Sequence, residues 1–163
     1  MPVLPIATIS EQEYPEFAAN LPGLSPSHAA YMESIARKET DWNATEGHSS
    51  LRVLVSVADL HSYLAAGRTR NPTALTVLAL EKANRLQPLK AEDCTLVRVT
   101  MHAGWARPTT TIWIVASNDP KLAIDAVRKH AQPDWELEAM GPPDGDVSRF
   151  RLAPGDACPY PPP

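Results

Sequence analysis

A chain of 163 residues, 44% of them hydrophobic, has enough material to bury a core without disulfide or metal staples. Its formal net charge of −4 argues against a protein whose main task is to coat nucleic acid, because that affinity comes chiefly from lysine and arginine meeting phosphates. No stretch approaches the roughly 18 apolar residues of a membrane span, and no charged leader precedes an apolar run, so a soluble cytoplasmic protein with Cys94 and Cys158 as thiols is expected.

Charge is unevenly spread. Residues 1–36 hold Glu11, Glu13, Glu16 and Glu33 and no lysine or arginine. Residues 68–107 hold Arg68, Arg70, Lys82, Arg85, Lys90, Arg98 and Arg107 against Glu81, Glu92 and Asp93. Prolines punctuate the chain. Five of the 17 fall in residues 1–26, five in residues 154–163, and the other seven at expected element boundaries.

Residues 1–24 have no clear period and read as an extended N-terminal arm carrying Ile6, Ile9, Tyr14, Phe17 and Leu21 as apolar anchors. Residues 25–90 read as a helical subdomain of about three helices. Ser25-Pro26 supplies a cap and a first-turn proline, and His28, Tyr31, Met32 and Ile35 share one face. Residues 49–66 fit two patterns. Leu51–Val57 fits a strand, while Val53, Val57, Leu60 and Leu64 fall at helical spacing behind Ser49 or Ser50. The helical pattern, ending at Gly67, is preferred, and it places His61 in the core. Asn71-Pro72 opens a third helix with Leu75, Leu78, Ala79, Ala83 and Leu86 as its buried stripe.

Residues 91–153 read as strand, strand, helix, strand, strand. Val97, Val99 and Met101 face one way, and Arg98, Thr100 and His102 the other. The run 109–117 is apolar on both faces, as a central strand requires. Asp119-Pro120 caps a helix with Ala123, Ile124, Val127 and Ala131 inside. Residues 135–140 and 147–152 match as a hairpin. In that register Met140 opposes Val147, Glu138 opposes Arg149 and Glu136 opposes Arg151. Residues 154–163 read as a proline-rich tail. The expected fold is therefore α+β, with the helical segment packed on a β-β-α-β-β sheet unit of split βαβ, ferredoxin-like character.

No reaction motif accompanies this fold. The loop 101–108 gathers His102, Trp105 and Arg107, residue types that anchor protein interfaces or clamp an anionic or aromatic ligand. Tyr14 and Phe17 on the arm are candidate partner contacts. Arg68, Thr69 and Arg70 precede a helix start and form a candidate anion site. The five histidines and two cysteines fall into no ligand-spaced set, so no metal or cofactor is expected. The leading expectation is a non-catalytic protein-interaction or regulatory protein, of accessory or inhibitor type, with a protein partner. The alternatives are a small-ligand binder or enzyme using His102 and Arg107, and nucleic-acid binding through the basic 68–107 region, which the acidic total disfavours.

Overall fold

A computed structural model describes residues 2–102, 104 and 107–160. The chain divides into two units. One comprises Met1–Gln87 with Arg149–Arg151, and the other Pro88–Ser148 with Leu152–Pro163.

The first unit is built on a parallel sheet. Strand β1 (Val3–Thr8) runs beside β2 (Ser49–Leu54), and β2 runs beside the two-residue β6 (Phe150–Arg151). Helices α1 (Tyr14–Asn20) and α2 (His28–Asn43) connect β1 to β2, and α3 (Val57–Ala65) and α4 (Thr73–Ala83) follow β2. Phe17, Leu21, Ile9, Val53, Val55 and Leu60 are buried almost completely at its centre. The amides of Ser49 and Val55 donate to the carbonyls of Pro2 and Thr8. Even-numbered residues of β1 therefore bond β2, and the Ala7 and Ile9 carbonyls point away from it. The Tyr31 hydroxyl donates to Ala7 at 2.7 Å and the His28 ring meets Ile9 at 2.8 Å, so helix α2 occupies this edge. Pro5, with no N–H to offer, sits on the same edge.

These strands overturn the all-helical expectation for residues 25–90 and the extended arm for residues 1–24. The segment 49–66 is a strand followed by a helix, and Ser56 divides them. Its hydroxyl accepts from the Asp59 amide while the Asp59 carboxylate accepts from the Ser56 amide, closing a reciprocal cap on α3. Val53 and Val57 share helical spacing by coincidence. Ser56→Ala is expected to lower stability by about 1 kcal/mol, read from the urea midpoint of the full chain. His61 is on the outer surface of α3 and meets Glu16 at 3.1 Å, not in the core. Helix α2 starts two residues beyond the expected Pro26, with Ser27 as its cap.

The second unit holds an antiparallel sheet in the order β5-β3-β4-β7. Strands β3 (Thr95–Met101) and β4 (Thr109–Val115) pair with Val97 opposite Trp113 and Val99 opposite Thr111. Helix α5 (Pro120–Arg128) leads to β5 (Glu136–Gly141), which pairs with the far side of β3. Strands β4 and β5 thus run in one direction with β3 reversed between them. The Asp119 carboxylate accepts from the Lys121 and Leu122 amides and starts α5 as its sequence requires. Val97, Val99, Val115, Ala123, Ala126 and Val127 form the core between α5 and one sheet face.

The hairpin expected between 135–140 and 147–152 does not form. Glu136 and Glu138 lie opposite Thr100 and Arg98 on β3, and Phe150–Arg151 pairs with β2 of the first unit. Alternating charge made two registers equally consistent, and only the tertiary partner distinguishes them. The start of the expected tail is also structured. Strand β7 (Ala157–Tyr160) pairs with β4, with Pro159 at the sheet edge where a missing N–H is tolerated. Among the described residues, no helix is long and apolar enough to cross a membrane.

Candidate functional site

The pleat of β3 decides which side chains leave the core. Val97, Val99 and Met101 turn toward α5, so Arg98, Thr100 and His102 project from the opposite face. Register brings Glu138 beside Arg98 and Glu136 beside Thr100. Arg98 Nη1 lies 3.0 Å from Glu138 Oε2, and His102 Nε2 lies 3.3 Å from Glu136 Oε1. Two cross-strand pairs thus form a short polar ladder, with Arg98–Glu138 as its ion pair. Its four side chains are 44–74% exposed. Arg107 is exposed where the chain enters β4. Trp105, the third aromatic or basic candidate of this loop, lies outside the described residues.

Such exposed pairs hold the fold only weakly, about 0–1 kcal/mol each. Their partners can be exchanged at small cost. At its β3–β5 side this face therefore places basic side chains of one strand beside carboxylates of the next. The alternation of both strands was visible in sequence, but Glu136 and Glu138 were matched there to Arg151 and Arg149.

Tyr14 and Phe17 are placed elsewhere. Phe17 has no exposed surface, and Tyr14 is 4% exposed with its hydroxyl donating to the Ser25 carbonyl at 2.7 Å. Both belong to the core of the first unit. Their apolar spacing signalled burial, and the protein itself supplies the partner surface.

Arg68 turns away from the start of α4. Its guanidinium lies 2.8 Å from Glu81, near the helix's other end, and 4.5 Å from the centre of the Tyr63 ring. Thr69 and Arg70 stay exposed in the loop, and the Asn71 side chain accepts from the Thr73 amide at the helix start. The structure therefore does not bring Arg68 together with the α4 N-terminus. A cavity of about 180 Å³ does include Arg68, Lys82 and Arg85, but also Glu81 and Asp59. Lys82 meets Asp59 at 2.7 Å, and Arg85 reaches Glu81 at 4.0 Å. Burial alone would raise the Asp59 carboxyl. The Lys82 and Ser56 hydrogen bonds outweigh it and hold the carboxyl below its ordinary value. The seven bases of residues 68–107 are divided between the two units, and among the described residues Arg68, Lys82, Arg85 and Arg98 sit in ion pairs.

One polar cluster carried no local sequence signal. Glu39 on α2 receives a two-pronged contact from Arg52 on β2, with Nη2 to Oε2 at 2.6 Å, and a hydrogen bond from the Ser50 hydroxyl. The two side chains are 7% and 12% exposed. Burial would raise the Glu39 carboxyl, but the Arg52 contacts, Ser50 and the charge of Arg149 hold it below its ordinary value. Nothing at 13 residues' separation marks such a pair in advance.

Cys94 and Cys158 are both reduced and buried. Burial, with a smaller contribution from Asp93, pushes the Cys94 thiol up to about 11, so it stays protonated at neutral pH. Among the described residues, no group of three or more histidine, cysteine, aspartate or glutamate side chains is arranged to hold a metal ion. Comparison with family models, with curated proteins and with solved structures finds no match.

Proposed function

We propose that this chain is a small non-catalytic protein-interaction or regulatory protein, of accessory or inhibitor type, acting in the cytoplasm. Its second unit is read as split βαβ in character, and the partner docks on the charged face of that sheet beside the 102–108 loop. The observation that supports this most is the exposed ladder of Arg98–Glu138 and His102–Glu136, on the face opposite α5. Charged residues of both signs at fixed spacing select a complementary surface and reject like charge. Groups shifted from their ordinary protonation, among them Glu39, Asp59 and Cys94, are tied into packing and caps.

A second reading, small-ligand binding or catalysis by His102 with Arg107 as anion clamp, has one observation in its favour. Glu136 meets the His102 ring at 3.3 Å, as a carboxylate that orients an imidazole would.

Affinity capture from nuclease-treated lysate separates these readings when wild type is run beside the contact-truncating His102→Ala/Arg107→Ala variant. A stoichiometric protein held by wild type and weakened at least about ten-fold by the variant is the expected result. A partner held equally by both would remove this face from the interface. Absence of any protein partner would move the assignment to the small-ligand reading.

A further inference from the structure

Sheet edges are places where a second chain can add a strand, because one row of backbone N–H and C=O groups has no partner there. The described edges differ in how they are defended. Strand β1 carries Pro5, Tyr31 occupies its outward Ala7 carbonyl, and His28 meets the Ile9 carbonyl just beyond its end. Strand β7 is four residues long and contains Pro159. Strand β6 has two residues. Strand β5 has six residues, Glu136-Leu-Glu-Ala-Met-Gly141, contains no proline, and ends the sheet order beside β3.

The side chains of β5 also select. Glu136, Glu138 and Met140 are exposed and alternate with the half-buried Leu137, Ala139 and Gly141. On the β3 side Glu138 already meets the Arg98 guanidinium and Glu136 the His102 ring. A strand added on the other side would continue both rows if it placed lysine or arginine opposite each glutamate, since opposite charges across strands attract and like charges repel. The end of β5 near Gly141 lies level with Leu96 and so with the end of β4 that leads into α5. Two of the chain's exposed large apolar residues, Met140 and Leu122 at the start of α5, are at this end.

We propose that β5 is a strand-addition site for an extended basic segment of a partner protein, with lysine or arginine at alternate positions and apolar residues between them. This rests on the protein-interaction reading and names the partner's chemistry. Backbone pairing along six residues supplies register, and Glu136 and Glu138 select for positive charge. Acidic strands, including a second copy's β5, are rejected by the same two carboxylates.

The test uses the full chain labelled with nitrogen-15 and an acetylated, amidated octapeptide of alternating lysine and valine. Two controls replace lysine with glutamate, or L-valine with D-valine, which breaks the extended strand while keeping the charge. Binding of the first peptide should slow hydrogen exchange at alternate amides of residues 136–141 by at least about ten-fold. The Glu136→Lys/Glu138→Lys variant should weaken binding at least about ten-fold, and the isosteric Glu136→Gln/Glu138→Gln variant should weaken it less. An unchanged amide spectrum elsewhere verifies that both variants fold. Equal binding of the D-valine peptide, or binding without protection at β5, overturns strand addition. If that happens while capture still depends on His102 and Arg107, the interaction reading survives and only the edge assignment fails. If β5 is protected but no cellular protein is captured, the interaction reading fails instead.

Discussion

Glu39→Ala is expected to lower unfolding stability by about 3–5 kcal/mol, although the side chain lies far from the proposed contact face. The loss comes from what remains. Arg52 is 6% exposed on the middle strand of the first sheet and would keep its charge with no carboxylate to meet it. The Ser50 hydroxyl, which donates to Glu39 at 3.0 Å, would lose its acceptor as well. Exchanging both members, as in Glu39→Leu/Arg52→Met, should recover much of the loss, because burying two charges is itself costly. Urea unfolding of the two variants followed by circular dichroism reads the difference. A cost for Glu39→Ala below about 1 kcal/mol would mean that water reaches Arg52.

The same pair sets an acid limit. Glu39 is held below its ordinary value of 4.5 in the folded protein. The folded state therefore binds its proton less readily than the unfolded state does. The stability that this provides is fully present above about pH 4.5 and disappears as pH falls through the lowered value. Asp59, held below 3.8, adds a loss of the same sign as pH falls through its own lowered value. Unfolding midpoints measured from pH 6 down to about pH 3 should fall more steeply for wild type than for Glu39→Gln.

Phe17→Ala should cost about 3–5 kcal/mol, because a phenyl ring with no exposed surface is replaced by a cavity. Phe17 shares its core cluster with Ile9, Leu21, Val53, Val55 and Leu60, so the walls of that cavity come from the segments just after β1 and α1, from β2 and its end, and from α3, and cannot collapse together. This outcome separates a core residue from a partner contact. A side chain on a mobile arm would leave the melting temperature unchanged and alter only binding. A drop of several degrees in melting temperature is the expected result.

Parts of the fold were legible because their signals are local. The alternation of Val97, Val99 and Met101 against Arg98, Thr100 and His102 shows which way each side chain of β3 points. Asp119 and Pro120 mark the start of α5 without reference to any neighbour. The strands β1 and β2 were not legible. Beside other strands and beneath helices they bury residues on both faces, and Leu51–Leu54 then lacks the alternation of a half-exposed strand. Pro5 would be excluded from a central strand, and β1 tolerates it as an edge strand. The candidate face divides in the same way. His102 and Arg98 could be read from their own strand, whereas their carboxylate partners arrive from 34 and 40 residues away.

The sequence by itself determined the α+β class, the faces of β3 and β4, the start of α5, and the absence of an apolar helix long enough for a membrane among the described residues. Tertiary structure decided which strands are neighbours. It sent Phe150–Arg151 to β2, paired Glu136 and Glu138 with β3, buried Phe17, and left β5 at an edge. Periodicity and capping depend on residues within a turn or two of one another. Strand pairing and buried charge depend on contacts whose loop-closure entropy is offset only when the whole unit packs.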